Sequence, residues 1–471
     1  MKKVVQWGLP ISIITFTVLH FVTYFNGNEF LLDLLSISGM GILLFAVILY
    51  TPPKIKMPFG LFIAGLLIIT FSDSHLMEGL MDGFREMRNM IGLLVTVPMI
   101  SWVLREEPFL EAIMGFGHRF LNTSRKFYFG MISFTQIIAY FLLFGSISMM
   151  YQFVDMILKD ESGEAWEHFK GTALLRGFSL SVMWVVSIPS FAYVVESMGA
   201  SLGVSIIQGM FVSIAGIMVA LLFSKFEEKS YGVDLTAGLK TEIEELLSHT
   251  ADKKQMNRIV LEFMILFVSL FGSIFILSSF VEIELLILIP LVVMVWILTY
   301  YVSKRRLNKL FDLAKKYVQK DMAHQSYQLC VMLGAGILIF ALSHTEFASL
   351  IVDGIYSLQE VLPFLNVLYF LPFMVIILGF FGLGPLTVMV LVAGILESIY
   401  LPYPPELIVL AVTLGSSISI LLSPMIMPII MLSGENGLSG FKNGIGFNWK
   451  FGVVIYLMVM GYVQVRVYMG W

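Results

Sequence analysis

Apolar runs about twenty residues long recur along this chain between short polar loops, and no other feature constrains its fold as much. Val4 to Phe25, Leu202 to Phe223, Ile259 to Ser279 and Glu282 to Val302 each have the length a helix needs to cross a hydrocarbon core of about 30 Å. With 58% hydrophobic and 13% charged residues and a mean hydropathy of +0.89, soluble helices would have almost no polar face to present to water. The sequence therefore predicts an all-α polytopic membrane protein. The first run follows Met1-Lys2-Lys3, but it is longer than the core of a signal peptide. It ends in Asn26-Gly27-Asn28-Glu29 without a small-residue cleavage site, so it reads as a span. The single cysteine, Cys330, leaves no intramolecular disulfide to form.

About eleven spans are expected. Beside the four above they are Phe30 to Tyr50, Pro58 to Phe71, Ile91 to Leu104, Gly171 to Glu196, Tyr327 to Ser343, Pro405 to Leu432 and Trp449 to Arg466. Two further stretches, Phe127 to Leu158 and Pro363 to Glu397, are too long for one crossing and too short for two with a loop. Each is interrupted near its middle, at Gly145-Ser146-Ile147-Ser148 and at Gly382-Leu383-Gly384-Pro385, so each is expected to form a re-entrant hairpin. Charge tests this layout. With the N-terminus in the cytoplasm, the basic loops around Lys54, Arg105, Arg125, Lys225, Lys253 and Lys304 to Lys320 all fall inside, as the positive-inside rule requires. The acid-rich segment Ser72 to Asn89, together with Glu282, Glu346, Asp353, Glu360, Glu397 and Glu406, falls outside, with Arg85 and Arg88 as exceptions among neighbouring acids. A multi-pass protein of the cell membrane with an external C-terminus follows. Ser303 to Gln325 reads as a basic amphipathic arm on the cytoplasmic surface.

An echo divides the chain. Gly177-Phe178-Ser179-Leu180-Ser181 returns half the chain later as Gly415-Ser416-Ser417-Ile418-Ser419, with Pro189 and Pro428 following, then Glu196 and Glu435. Sliding the second half over the first matches span to span, hairpin to hairpin and interrupted span to interrupted span. Because an odd number of crossings makes up each copy, corresponding elements would run in opposite directions, giving an inverted pair. The expected organisation is an extra span at 1–28, a first repeat at 29–224, a cytoplasmic linker at 225–258 with a helical stretch near Leu239 to Leu247, and a second repeat at 259–471.

Non-helical backbone at membrane depth is tolerated only where it is buried in protein or lines a cavity, and helix ends opened there offer amides to anions and carbonyls to cations. The candidate substrate-binding residues are accordingly Ser146, Ser148, Gly177, Ser179, Gly384, Gly415, Ser416, Ser417 and Ser419. The competing reading is that these small residues only let helices approach closely. Arg176 stands directly before Gly177, where the second repeat has Leu414. It reads either as a bidentate clamp for a substrate carboxylate, as a stand-in for a coupling cation, or as a side chain snorkelling to the interface near Lys170. No Asp or Glu is expected at a break, which argues against proton antiport. The seven histidines lack metal-ligand spacing and no nucleophile and base pair up, so no metal and no enzyme activity are expected.

In layout, though not in motif, the chain resembles the ion transporter superfamily, which includes divalent-anion/sodium symporters, citrate carriers, arsenite carriers and some sodium/proton antiporters. Those proteins have an extra first span, two inverted five-span repeats, a re-entrant hairpin in each and a broken helix after each hairpin. Symporters of that family place a Ser-Asn-Thr triplet in each hairpin, whereas the tips here are Ser146-Ile147-Ser148 and Gly382-Leu383-Gly384-Pro385. The resemblance implies a homodimer in membrane lipid, a fixed scaffold and a moving transport domain, Na⁺ as a candidate coupling ion, no other cofactor and no nucleic-acid partner. It also implies secondary transport of a small organic anion, a carboxylate by preference, through an elevator motion. The alternatives are an inorganic oxyanion or drug efflux carrier, or a membrane scaffold or sensor that does not transport.

Overall fold

The computed structural model describes residues 2–50, 52–71, 76–109, 112–113, 123–158, 163–231, 253–347, 350, 353–354, 357 and 366–470. Among the described residues there is no strand, and nine helices are long and apolar enough to cross a membrane, as in a polytopic membrane protein. The chain divides into two compact units, each drawing on both halves of the sequence. One comprises Met1–Trp102, Leu277–Leu365 and Val390–Leu401; the other comprises Val103–Ile276, Asn366–Met389 and Pro402–Trp471.

In the first unit α1 (Lys2–Phe25) and α2 (Glu29–Leu49) pack side by side, and the Asn28 side chain caps α2 by accepting from the Phe30 amide. α3 (Pro52–Phe71) begins with a pair of prolines, as helices tolerate in their first turn. From Leu76 onward the segment expected as acid-rich and outside is helical. α4 (Leu76–Glu86), α5 (Arg88–Thr96) and α6 (Ile100–Leu104) follow one another within one candidate span, Leu76–Leu104. Arg85, an exception to the charge pattern, is held by Asp33 at 2.7 Å and Asp82 at 3.0 Å, so it reaches the surface already neutralised.

The second unit opens with the first long apolar stretch. It is two helices, α7 (Ser124–Leu142) and α8 (Gly145–Ile157), turned at Leu143, whose φ of 50° ends α7; α8 packs against α7. α9 (Glu164–Ser181) and α10 (Pro189–Ser197) form the first interrupted span, and α11 (Leu202–Tyr231) follows as an unbroken 30-residue helix. The linker is therefore shorter than expected: α11 continues to Tyr231 and α12 (Lys253–Phe280) starts at Lys253. The stretch Leu239 to Leu247 lies outside the described residues.

Back in the first unit, α13 (Leu285–Ser303), the short α14 (Leu307–Lys316) and α15 (Met322–Ser343) follow, the last two joined by a π-helical turn at Tyr317–Asp321. The arm expected over Ser303 to Gln325 is confined to α14. α15 meets α3 and α4 at backbone contact. A Cβ on Gly334 would lie 2.6 Å from the Pro58 carbonyl, and one on Gly83 3.0 Å from the Ile337 Cα, so glycine sets how closely these helices approach.

The second long stretch is also two helices, α16 (Val367–Phe380) and α17 (Pro385–Glu397), separated by a turn with Gly382 at φ +85°. α18 (Pro405–Leu422), α19 (Met427–Asn436) and, after a π-helical turn at Lys442–Gly446, α20 (Phe447–Tyr468) complete the second unit. The strings α7 to α10 and α16 to α19 agree element by element. Their helices contain 19, 13, 18 and 9 residues in the first and 14, 13, 18 and 10 in the second.

Candidate functional site

The interruptions do not fall where the glycines stand. α9 continues through Gly177 and Ser179 to Ser181, and α18 continues through Gly415 and Ser417 to Leu422; the breaks are Val182 to Ile188 and Ser423 to Ile426. Proline is the reason. A glycine inside a helix costs about 1 kcal/mol and is tolerated, whereas proline lacks the N–H and disfavours helical backbone in the residue before it. Pro189 opens α10 with Ile188 extended at ψ 112°, and Pro424 follows Ser423, extended at ψ 115°.

Gly177 and Gly415 have a matching role instead. A Cβ on Gly177 would come within 2.9 Å of the Ile132 carbonyl on α7, and one on Gly415 within 2.7 Å of the Pro372 carbonyl on α16. Each interrupted helix thus lies against the first helix of its preceding pair, at equivalent places. The glycines of the turns differ: no atom within 4 Å would meet a Cβ on Gly384, and only Leu142 of its own chain would meet one on Gly145.

The two interrupted helices run antiparallel within their unit. At one end the Ser201 amide, just past α10, donates to Glu406 in the first turn of α18 at 3.0 Å. At the other end, Glu164 in the first turn of α9 pairs with Lys442, just past α19, at 2.7 Å, and Gln152 on α8 donates to Glu435 on α19 at 3.1 Å. Gly171 on α9 packs on Leu432 of α19. The start of each interrupted helix therefore meets the end of the other.

Serines at equivalent positions have different partners. Ser179 donates to the Arg176 carbonyl and Ser181 to the Phe178 carbonyl, which satisfies both hydroxyls within α9. Ser146 does the same at the first turn, donating to Leu143, and Ser148 is half-buried. On α18, Ser416, Ser417 and Ser419 are fully buried and none of the three hydroxyls has a partner. Ser419 Oγ instead abuts the backbone of Gly379 on α16, whose carbonyl accepts from Ser423. Unpaired buried hydroxyls cost about 1–3 kcal/mol each, so three within four residues of one helix set this turn of α18 apart from its counterpart in α9.

Arg176 is neither snorkelling nor open. Its side chain has 0% exposure, and all five guanidinium N–H groups are used. Nε donates to Asn448 at 3.0 Å, Nη1 to Tyr128 at 2.9 Å and to Glu227 at 3.2 Å, and Nη2 to Glu227 at 2.7 Å and to the Phe447 carbonyl at 3.4 Å. Phe451 stacks on it, 4.8 Å from the ring centre. Glu227, expected in a cytoplasmic linker, is the fork's carboxylate partner because α11 extends far enough to bring it there. Through Asn448 the network continues to the Asn443 carbonyl and on to the reciprocal amide pair of Asn443 and Asn436, ending on α19. A second buried cation, Lys170, is held by Glu167 at 2.6 Å and Asp155 at 2.7 Å and ties α8 to α9.

The structure adds polar residues that the sequence reading passed over. Gln136 Oε1 on α7 accepts from Trp184 Nε1 in the first break and from Ser213 on α11, at 2.8 and 2.9 Å, while its Nε2 has no partner. Ser187 in the same break donates to the Tyr140 carbonyl. α11 reaches the break through Gly209, where a Cβ would run into the Met183 carbonyl. Ser205 Oγ and Gln208 Nε2, beside that glycine, are buried and unpartnered too. Among the described residues no group of three His, Cys, Asp or Glu could hold a metal ion. Compared with known proteins, the chain matches no protein-family model and no curated protein.

Proposed function

We propose that this protein is a secondary active carrier of a small organic anion, working by alternating access of a site between the two helix breaks of its second unit. The observation that carries the proposal is the antiparallel pairing of two interrupted helices, each preceded by a two-helix stretch turned at its middle, as expected of an inverted repeat. Irregular backbone inside such a unit favours a binding site over plain packing.

The anion would not be held by Arg176, whose donors are already taken. Neutral donors fit better: the hydroxyls of Ser416, Ser417 and Ser419, the free amide groups of Gln136 and Gln208, and the N-terminal ends of α10 and α19, which begin at the breaks. The C-terminal ends of α9 and α18, where the breaks begin, would suit Na⁺ as the coupling ion. In this reading Arg176 with Glu227 fixes the interrupted helices to α7, α11 and α20. A homodimer with an elevator motion completes the proposal, by resemblance to carriers of this layout.

Exchanging Ser416, Ser417 and Ser419 together for alanine tests the site. Without ligand, the purified variant melts no lower than the wild type, because the lost hydroxyls had no partners. A carboxylate that stabilises the wild type by about 2.7 kcal/mol at a hundredfold excess over its Kd, with or without Na⁺, no longer shifts the variant. An equal ligand shift in both proteins would remove the serines from the site.

A further inference from the structure

A narrow cleft lies between the first half of α9 and the last turns of α11, beside the Arg176–Glu227 pair. His168 and Thr172 line it from α9, one turn apart, and Ser224, Glu227, Glu228 and Tyr231 line it from one side of α11 at helical spacing. The volume open to the centre of a water-sized sphere is about 10 Å³, which is room for a single such particle. Protein groups do not close the gap. His168 Nε2 stays 3.8 Å from Glu227 Oε1, beyond hydrogen-bond reach, and the hydroxyl of Ser224, a residue only 3% exposed, has no partner. Thr172 gives its proton to the His168 carbonyl at 2.7 Å, so toward the cleft it can only accept. Charge is unbalanced as well. Glu227 is answered by Arg176, and Glu164 at the start of α9 by Lys442, both at 2.7 Å. Glu228 has the neutral Ser124 hydroxyl at 3.0 Å instead, and among the described residues no cation pairs with it. Its neighbours Lys225 and Lys229 are exposed and do not line the cleft.

We propose that this cleft binds one monovalent cation of about the size of water, K⁺ or ammonium, between Ser224 and Glu228. The unneutralised carboxylate favours a cation over water, and an aromatic neighbour such as Tyr231 adds to that preference. A divalent ion is the poorer fit, because it asks for several carboxylates at once and no three His, Cys, Asp or Glu side chains gather among the described residues. Na⁺ is smaller and holds its water shell more tightly, so it gains less from a space of this size. Bound there, the ion joins the end of α11 to α9 beside the Arg176 fork and supplies the partner that the Ser224 hydroxyl lacks. The site lies toward the start of α9, away from the helix breaks, and the proposal does not depend on the protein being a carrier.

The test is a thermal melt of the purified full-length protein at fixed pH and ionic strength, with KCl replacing N-methylglucamine chloride. The midpoint rises saturably, by about 3–5 °C at a hundredfold excess of K⁺ over its Kd, and ammonium does the same while Na⁺ does less. Ser224→Ala melts as the wild type does in N-methylglucamine chloride, because its hydroxyl had no partner, but needs at least about tenfold more K⁺ for the same rise. Glu228→Gln still accepts from Ser124 and loses the rise altogether. Equilibrium dialysis against rubidium, a stand-in for K⁺, counts the ion directly. Glu228→Gln retains one Rb⁺ per chain fewer than the wild type, whereas the alanine variant of Ser416, Ser417 and Ser419 retains as many, which separates this site from the one proposed at the breaks. Equal midpoints in KCl and N-methylglucamine chloride overturn the proposal and leave the cleft to water. A midpoint rise or a rubidium count that Glu228→Gln leaves unchanged overturns it too, by placing the ion elsewhere.

Discussion

Replacing Arg176 with leucine lowers the stability of the purified protein by about 3 kcal/mol, even though an apolar side chain is ordinarily cheaper in a membrane segment than an arginine. The substitution leaves Glu227 in a partly dry site with 20% exposure and no counter-charge, and it takes the donor away from the Tyr128 hydroxyl oxygen, Asn448 Oδ1 and the Phe447 carbonyl together. Breaking a buried pair from one side costs about 3–5 kcal/mol, and the residual exposure of Glu227 places this case at the lower end. Glu227→Leu is similarly damaging because it leaves the fully buried guanidinium unpaired. The double variant Arg176→Leu with Glu227→Leu recovers most of the loss, since replacing both charges by apolar groups removes their desolvation cost as well as their attraction. Unfolding measurements on the four proteins give a coupling energy of several kcal/mol in this account. Additive losses, or an Arg176→Leu protein as stable as the wild type, would mean that the pair does not hold α9 to α11. Arg176→Lys keeps the charge without the planar fork and falls between wild type and leucine.

The second large effect is steric. Gly209→Ala places a methyl on the Met183 carbonyl, a backbone group inside the first helix break, so either α11 or the break must move. Overpacking of this kind costs about 1–3 kcal/mol, and a backbone obstacle places it near the upper end. A control comes from Gly461→Ala on α20, where no atom within 4 Å meets the new methyl and helix propensity alone predicts a gain of up to about 1 kcal/mol. Thermal melts of the two variants should therefore move in opposite directions. Because Gly209 fixes the distance between α11 and the break that holds Trp184 and Ser187, its alanine variant should also lose ligand response out of proportion to its stability.

Helices that run through lipid with one apolar pattern were legible from their composition. α1, α2, α12 and α13 begin and end within a few residues of the expected spans, apart from the longer start of α12. The turns in the two long stretches were legible from their length, but in the first the turn falls at Leu143–Phe144, and Gly145 to Ser148, where it was expected, form the first turn of α8. Glycine misled at the interrupted spans: Gly177 and Gly415 are contact points inside continuous helices, and the breaks sit at the prolines further on. The acid-rich segment before Asn89 read as a loop because its charges were counted, although Gly79, Gly83 and Phe84 lie on one buried face of α4. Glu227 was missed for a similar reason, as one of several charges past an apolar run. A signal was present. Ser205, Gly209, Ser213, Gly216, Ala220 and Ser224 recur every three to four residues and form a stripe of small side chains that points along α11 to Glu227. No local pattern distinguishes a satisfied serine from an unsatisfied one, so the difference between Ser179 and Ser417 needed coordinates.

Alternating access, as proposed, requires that the α18 serines line a site reached from each side of the membrane in turn. Its direct test is the reactivity of Ser417→Cys, in a Cys330→Ala background, toward an impermeant thiol reagent applied to one side of sealed proteoliposomes at a time. Labelling is expected from either side of the same oriented protein, with pretreatment from one side blocking reaction from the other, although Ser417 is fully buried in the structure described. A cysteine that stays unreactive from both sides, or reacts from one side only under every ligand and salt condition tried, would contradict alternating access and leave the interrupted helices as a scaffold.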